Sequence, residues 1–276
     1  MKIDCRAIAE RMKEKIKEKC AGRGLRFGIV QVGDNPASNA YIKGKLKDCA
    51  EVGIEASVFK YDEEIPQEVL MEKITSLVNS HTLDALIIQL PLPEHLCLEK
   101  LVDLIPSEMD VDNLKGTSPF IPATPKGILM LLDYLGRDLC GKHLVMIGRS
   151  KIVGEPMAVL ATGRNATVSL CHSKTPPSVL RELCQSADII VSAVGKRDFI
   201  GKDMINTAKR QLLLDVGINR DDKGKLCGDA NSQIYDIETL DYTPVPGGIG
   251  LMTRVGLLEN ISSLGKGERR GISNEK

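Results

Sequence analysis

The sequence predicts an α/β protein built on parallel sheets and organised as two domains. The chain has 276 residues, of which 42% are apolar, enough for one large domain or two of medium size. Short aliphatic runs alternate along it with stretches of helix length. Several of these runs, such as Ile189–Val194, are almost continuously apolar, as expected of strands covered on both faces. This alternation is typical of α/β folds.

Each predicted strand is a short run rich in β-branched or aliphatic residues. The strands are Leu25–Val32, Glu55–Lys60, Asp84–Leu90, His143–Ile147, Ala166–Cys171, Ala187–Val194 and Leu212–Val216. One helix has clear ends: Asn35 is a good N-cap, Pro36 suits the first helical position, and Gly53 provides a stop. Three further helices are expected, one opening at about Val153–Met157 and the others at Pro125–Leu135 and Leu251–Leu264.

The domain boundary is predicted in Ser107–Pro125, a polar stretch with three prolines that separates three strands from the other four. The first domain is therefore expected at 1–120 and the second at 121–250. A final helix at 251–264 is expected to pack back against the first domain. The tail, 265–276, is glycine-rich and charged, and is expected to be flexible.

Composition excludes several classes of function. Basic and acidic residues both number 37, so no surface for nucleic acid or an anionic membrane is predicted. There is no tryptophan to stack on bases, and no apolar run is long enough to span a bilayer. The eight cysteines show no metal-ligand spacing, so no metal site is expected. Without a secretory segment, reduced thiols and a cytoplasmic location are expected.

A glycine turn predicts a dinucleotide site. Gly148–Gly154 follows the apolar run Leu144–Ile147 and precedes a helix, an arrangement in which backbone N–H groups bind phosphate. Similar turns occur in proteins that bind no nucleotide. The next strand ends in His172–Lys174, where an NAD site would carry an acidic residue. A hydroxyl, an imidazole and an ammonium stand there, with Arg149 in the turn, which suits a 2′-phosphate and favours NADP.

Tyr41 and Lys45 lie four residues apart on the helix that follows Asn35, so they share one side of it, beside the apolar stripe. Partial burial of Lys45 would lower its pKa and let it donate or accept protons. The alternative is an exposed lysine whose stem covers Tyr41, or one paired with Asp48.

Three more segments carry candidate residues. Gln89 ends a strand, where ligands of open α/β sheets bind, although a strand-end amide can also satisfy loop backbone. Asp112 lies in the loop sequence D-V-D, and acids in loops are often solvated or capping residues. Thr243–Gly250 is dense in proline and glycine, which suits close approach of backbone to a ligand or simply a rigid loop.

Taken together and in order, the motifs resemble one family. They read VGDNPASNAYIKGK, QLPLP, DVD, PATPKG, GRSKIVGEPM, ATVSLCHSKT, ADIIVSAVGK, LLLDVGIN and TPVPGGIGLMTR, and extend from Val32 to Arg254. The chain resembles the bifunctional methylenetetrahydrofolate dehydrogenase/cyclohydrolase family. The resemblance implies a three-layer α/β catalytic domain, a Rossmann-like NADP-binding domain, a substrate cleft between them, and a homodimer formed through the cofactor domain.

The implied activity has two steps. NADP-dependent oxidation converts 5,10-methylenetetrahydrofolate to the methenyl compound, and hydrolysis then gives 10-formyltetrahydrofolate, a one-carbon donor for purine biosynthesis. In that family the tyrosine of the A-S-x-x-Y motif lines the folate site, and the lysine four residues later is the central catalytic group. The glutamine of Q-L-P-L-P modulates that lysine, and the second aspartate of D-V-D binds the pterin. The implied catalytic residues are Lys45, Tyr41, Gln89 and Asp112. The implied substrate contacts are Tyr41, Gln89, Leu90, Pro91, Asp112, Gly247 and Gly248. The implied cofactor contacts are Gly148, Arg149, Ser150, Ser173 and Ile218.

The chain departs from the family pattern at three places on the substrate side. Asn113 stands where glycine is usual, the connector Leu114–Ile121 is short, and Leu251 replaces a proline. Other functions remain open at this point. They are a monofunctional NADP-dependent methylenetetrahydrofolate dehydrogenase, another two-domain NADP oxidoreductase acting on a shikimate-like acid, and a nucleotide-sensing module without turnover.

Overall fold

The protein is described by a computed structural model that covers residues 1–265; the rest of the predicted flexible tail lies outside the described residues. The α-helices are α1 (Cys5–Cys20), α2 (Pro36–Val52), α3 (Gln67–Asn79), α4 (Leu98–Val102), α5 (Ala123–Tyr134), α6 (Gly154–Gly163), α7 (Pro177–Ser186) and α8 (Ile249–Ser262). The strands are β1 (Arg26–Val32), β2 (Glu55–Tyr61), β3 (Ala85–Ile88), β4 (His143–Ile147), β5 (Thr167–Cys171), β6 (Ile189–Ser192), β7 (Gln211–Asp215), β8 (Asn219–Arg220), β9 (Leu226–Cys227) and β10 (Leu240–Tyr242).

One compact unit, called here the three-strand unit, comprises Lys13–Phe120 and, among the described residues, 258–265. Its sheet is parallel, in the order β2-β1-β3, with Phe27 paired to both Ala56 and Ala85. Every residue of β3 is buried, which explains its continuous apolar sequence. Its core is formed by residues of the sheet, such as Val30 and Ile88, and by residues of the helices packed on it, such as Leu70 and Leu101.

The second unit, called here the five-strand unit, comprises Met1–Met12 and Ile121–Leu257. Its sheet is parallel in the order β10-β7-β6-β4-β5. Chain order proceeds outward from β4 to β5, then restarts on the other side of β4 at β6. This reversal makes the carboxyl ends of β4 and β6 a topological switch point, the usual ligand position in open α/β sheets.

The α/β class with parallel sheets is confirmed, and all seven predicted strands are present with ends within two residues of the predicted limits. Helix α2 begins after Asn35, whose side-chain oxygen accepts hydrogen bonds from the N–H groups of Ala37 and Ser38 at 2.9 and 3.2 Å. It ends at Gly53, which has a left-handed φ of 80°. Helix α5 was expected to begin at Pro125 but begins two residues earlier, at Ala123. Pro125 is tolerated there because a proline in the first turn of a helix loses no helical hydrogen bond.

Three strands were not predicted. Strands β8 and β9 form an antiparallel two-residue ladder, and β10 has only three residues. Such runs are too short to show a period of two in the sequence. Within the described residues, no helix is both long and apolar enough to cross a membrane.

Candidate active site

Helix α2 carries Tyr41 and Lys45 as predicted, on one side of the helix. The Lys45 ammonium lies 5.7 Å from the centre of the Tyr41 ring, within cation–π range. Lys45 is buried, whereas Lys43 and Lys47 on the opposite side are exposed. The alternative of an exposed Lys45 is therefore wrong. Asp48, the alternative partner of Lys45, has its carboxylate 3.2 Å from the Lys13 ammonium.

Gln89 connects this lysine to the end of strand β3. Its Oε1 accepts a hydrogen bond from Lys45 Nζ at 2.9 Å, and its Nε2 donates to the carbonyl of Leu90 at 2.7 Å. That carbonyl also accepts from the Ser38 hydroxyl at 3.3 Å. The Leu90–Pro91 peptide bond is cis. Four of the predicted residues, Tyr41, Lys45, Gln89 and Leu90, thus form one contiguous group in the three-strand unit.

The two aspartates of the D-V-D segment differ in their surroundings. Asp110 is buried, and its carboxylate accepts hydrogen bonds from the N–H groups of Leu114 and Lys115 at 3.1 and 2.9 Å. It therefore holds the loop. Asp112 is only half-buried. Asn113 has a φ of 49°, a conformation that glycine adopts freely and asparagine tolerates better than most residues. This explains how asparagine can replace glycine there.

The glycine turn of the five-strand unit lies at the switch point of the sheet. Gly148 has a φ of 113°, and a Cβ there would lie 2.5 Å from the carbonyl oxygen of Ala193, just beyond β6. A Cβ on Gly154, the first residue of α6, would lie 2.0 Å from the carbonyl oxygen of Gly148. Backbone atoms therefore pack too closely here for any side chain. This leaves the helix N-terminus directly against the turn, an arrangement that fits a dinucleotide phosphate.

The end of β5 lies beside this turn, since the N–H of Gly148 donates to the carbonyl of Cys171 at 2.9 Å. Burial raises the pKa of the Cys171 thiol, so it stays protonated. The following turn is held by the Thr175 hydroxyl, which accepts from the N–H of His172 at 3.0 Å. Arg149, Ser150 and Ser173 are exposed around it, available to a polar ligand. Arg149 and Ser150 follow β4 and Ser173 follows β5, two paired parallel strands, so these residues lie beyond the same edge of the sheet.

Comparison with known proteins decides the family. The catalytic domain of the tetrahydrofolate dehydrogenase/cyclohydrolase family matches residues 3–112. The NAD(P)-binding domain of the same family matches residues 122–269. The chain belongs to the tetrahydrofolate dehydrogenase/cyclohydrolase family.

Relatives of this family member match along nearly its whole length. It is 38% identical over 272 residues to the bifunctional protein FolD of Polaromonas naphthalenivorans, covering 94% of this chain and 95% of the relative. It is 41% identical over 263 residues to bifunctional protein FolD of Lysinibacillus sphaericus, covering 92% and 90%. The crystal structure of the bifunctional enzyme FolD from Campylobacter jejuni superposes with a TM-score of 0.87 at 36% identity, covering 95% of this chain and 97% of that one.

A shikimate 5-dehydrogenase from Thermus thermophilus shares the fold alone with this tetrahydrofolate dehydrogenase/cyclohydrolase family member. The two have a TM-score of 0.51 and are 16% identical, with coverage of 86% and 98%. The oxidoreductase of a shikimate-like acid considered above therefore gains no support beyond a common architecture.

The remaining predicted residues of this family member lie in the five-strand unit. Gly247 has a φ of 96° and lines a pocket of about 410 Å³ together with Lys2, Arg6 and Pro246. Gly248 is buried, and a Cβ there would lie 2.3 Å from the carbonyl oxygen of Pro244. Ile218 is exposed.

Sequence reasoning missed two buried carboxylates of this tetrahydrofolate dehydrogenase/cyclohydrolase. Asp215 ends β7, and Asp229 follows the β8–β9 ladder; both are at most 1% exposed. Burial raises the pKa of Asp215 to about 6, and the charge of Asp229 adds to the increase, while backbone N–H groups oppose it. Asp215 opens the D-V-G-I-N motif, so its position at a strand end was the available signal.

Proposed function

We propose that the protein is a bifunctional enzyme. It oxidises 5,10-methylenetetrahydrofolate with NADP⁺ and hydrolyses the resulting 5,10-methenyltetrahydrofolate to 10-formyltetrahydrofolate. The observation that carries the proposal is the buried hydrogen bond between Lys45 and Gln89, beside Tyr41. A dehydrogenase alone needs no proton-transfer group at this position, so the pair favours the bifunctional enzyme over the monofunctional alternative.

The proposed substrate contacts divide by chemistry. The Tyr41 ring offers an apolar face to the folate ring system, and the half-buried carboxylate of Asp112 suits the amino and ring N–H donors of the pterin. Gln89, Leu90 and Pro91 form the wall at the end of β3. Gly247 and Gly248 are also proposed as substrate contacts, and the absence of a side chain on Gly247, which lines a pocket, allows close approach of substrate.

The proposed cofactor contacts are those around the glycine turn. Gly148 and Ser150, with the N-terminus of α6, would bind the pyrophosphate of NADP⁺. Arg149 and Ser173 would bind the 2′-phosphate, because a guanidinium and a hydroxyl both donate hydrogen bonds to phosphate. Ile218 would contact the nicotinamide end. When bound, NADP⁺ supplies the acceptor for the hydride.

The two steps ask different things of the protein. In the first, the methylene carbon loses a hydride and becomes the methenyl cation, which requires chiefly that the reacting carbons be oriented. In the second, water adds to the cation and loses one proton, and the hydroxyl proton of the adduct then passes to the nitrogen that leaves as the ring opens to the formyl product. We propose that Lys45 accepts and donates these protons, and that its hydrogen bond to Gln89 holds the amine in place.

The experiment mixes purified protein with 5,10-methylenetetrahydrofolate and NADP⁺, and follows NADPH and the methenyl product separately. We expect NADPH to exceed methenyl, with 10-formyltetrahydrofolate making up the difference, faster than without enzyme. Equal amounts of NADPH and methenyl would leave only the dehydrogenase. No NADPH would favour the binding module.

The variant Lys45→Met identifies the catalytic group. It should lower cyclohydrolase activity by at least about 100-fold, the usual contribution of general acid–base catalysis, while part of the hydride transfer survives. Lys43→Met removes an exposed lysine from the opposite side of the same helix, and should retain both activities. Unaltered cyclohydrolase activity in Lys45→Met would contradict the assignment.

We further propose a cytoplasmic homodimer that supplies one-carbon units to purine biosynthesis, without a nucleic-acid or membrane partner. Strand β5 is an edge strand, and its Leu170 side chain is 38% exposed. Val159, on the adjoining helix α6, is 71% exposed. An uncovered edge with apolar side chains favours pairing with a second copy. Sedimentation velocity should give a dimer for the natural chain and a monomer for Val159→Glu with Leu170→Glu. A monomeric natural chain would contradict the proposal.

A further inference from the structure

Asp229 is a buried carboxylate that accepts four hydrogen bonds. Its Oδ2 accepts from the Ser192 hydroxyl at 2.8 Å and from the N–H of Val194 at 2.9 Å. Its Oδ1 accepts from the N–H of Lys196 at 2.9 Å and from the Asn219 amide at 3.1 Å. Four donors saturate the lone pairs of a carboxylate, which compensates for the loss of water around a buried charge.

Three of these donors belong to the segment that leaves strand β6. Ser192 ends the strand, and Val194 and Lys196 follow it. Between them lies Ala193, whose carbonyl oxygen would be 2.5 Å from a Cβ on Gly148. The segment 192–196 therefore packs against the glycine turn at the switch point, and Asp229 fixes its path.

The fourth donor, Asn219, belongs to the segment that follows β7. Asn219 follows Ile218 directly, and its amide also donates to the carbonyl of Gly228 at 2.9 Å. A Cβ on Gly217 would lie 2.0 Å from Oδ1 of Asp229, so the segment 217–219 closes over the carboxylate. A single side chain thus joins the segment after β6 to the segment after β7.

Asp229 is itself held in position by the other buried carboxylate. Its N–H donates to Oδ1 of Asp215 at 3.0 Å, and the N–H of Ala230 donates to Oδ2 at 3.0 Å. Asp215 also accepts from the N–H of Gly217 at 3.2 Å. Asp215 thus fixes the backbone at Gly217 and at Asp229–Ala230, and Asp229 in turn joins segment 217–219 to segment 192–196, so the two segments form a preorganised unit.

We infer that Asp229 is a positioning residue for cofactor binding: it holds segments 192–196 and 217–219 in the arrangement that NADP(H) requires. The inference rests on the proposed function, because it takes the switch point at β4 and β6 as the NADP site. Preorganised loops bind more tightly because less entropy is lost on binding.

The test compares Asp229→Asn with Asp188→Asn. Asp188 lies at the opposite end of β6 and also accepts from backbone, through the N–H of His143 at 2.9 Å, so it controls for lost stability. An asparagine at 229 presents N–H groups to N–H donors and can satisfy at most half of them. NADPH dissociation constants are measured by titrating NADPH fluorescence, which requires no turnover. Cyclohydrolase activity on added methenyltetrahydrofolate, which requires no NADP, reports whether each variant is folded.

We expect the NADPH dissociation constant of Asp229→Asn to rise about tenfold, the equivalent of one lost hydrogen bond to a charged group, and that of Asp188→Asn less than about twofold. The KM for NADP⁺ should rise in parallel, with kcat at saturating NADP⁺ nearly unchanged. An unchanged dissociation constant in folded Asp229→Asn, or an equal loss in Asp188→Asn, would overturn the inference.

Asn219→Ala decides the matter if Asp229→Asn does not fold. It removes one donor at a half-buried position and should weaken NADPH binding by a smaller factor; no weakening would overturn the inference. A natural chain that binds NADPH but never turns it over would contradict the proposed function and leave the binding test intact.

Discussion

Lys45 Nζ donates a 2.9 Å hydrogen bond to Gln89 Oε1, and neither residue is more than 9% exposed. The orientation of the amide is fixed from the other side, because Gln89 Nε2 donates to the carbonyl of Leu90. The oxygen must therefore face the lysine. The position of the catalytic amine thus depends on a side chain 44 residues away, at the end of β3.

Gln89→Leu is expected to lower cyclohydrolase activity by about 10- to 100-fold, because it removes the acceptor that orients Lys45. Dehydrogenase activity should fall less, since hydride transfer needs no proton transfer. The control is Gln31→Leu, another buried glutamine near the end of a strand in the same unit, which donates to Asn39 Oδ1 at 2.7 Å. Initial rates of methenyl hydrolysis distinguish the two, and equal losses would contradict a specific role for Gln89.

Ser173→Asp is expected to change cofactor preference from NADP⁺ towards NAD⁺. A carboxylate at the end of β5 would repel a 2′-phosphate and accept from a ribose hydroxyl. The KM for NADP⁺ should rise about tenfold or more while that for NAD⁺ falls, since a charge contact of this kind contributes about 1.5–3 kcal/mol. Thr207→Asp adds the same charge at an exposed position in the same unit and should leave the preference unchanged. A parallel loss with both cofactors would show that Ser173 lies elsewhere in the site.

Features set by neighbouring residues could be predicted from the sequence, whereas features set by contacts between distant residues could not. Helix α2 was predicted with both ends because Asn35 and Gly53 act on their immediate neighbours. Strand β10 was missed because its strand character comes from pairing with β7, from Leu240 to Gln211, far away in the chain. That Tyr41 and Lys45 lie on the same side of α2 followed from their spacing of four residues.

The partners of those side chains did not follow from spacing. The bond from Lys45 to Gln89 requires the packing of α2 against the end of β3, which no local pattern encodes. Asp229 is a harder case: it follows a short strand and resembles a turn residue, while its partner Ser192 is 37 residues earlier. Only the sheet order brings them together.

Gly154→Ala is expected to destabilise the five-strand unit by about 1–3 kcal/mol and to weaken NADPH binding, because the new methyl group would meet the backbone of Gly148. Neither backbone can yield without separating α6 from the turn. Gly163→Ala, at the other end of the same helix, has no neighbour within 4 Å and should be neutral or stabilising by up to about 1 kcal/mol. Thermal unfolding with NADPH titration checks both; a Gly154→Ala variant that behaves like Gly163→Ala would contradict the packing argument.

Asp215 should make the protein less stable as pH rises from 4 to 7. Its pKa in the folded state is about 6, above the value of 3.8 for a free side chain, chiefly through burial. The folded state therefore binds a proton that the unfolded state has released, and stability falls with pH across this range. The full loss is about 3 kcal/mol, of which about 1 kcal/mol falls between pH 5 and 7.

The measurement is urea unfolding of the natural chain and of Asp215→Asn at pH 5, 6 and 7. The variant loses the hydrogen bond from the N–H of Ala230 at every pH, so that cost cancels when the slopes are compared. The stability advantage of the natural chain over Asp215→Asn should therefore shrink by about 1 kcal/mol between pH 5 and 7. An advantage that grows with pH would mean that the hydrogen bonds to Asp215 outweigh its burial, and that its pKa lies below the ordinary value.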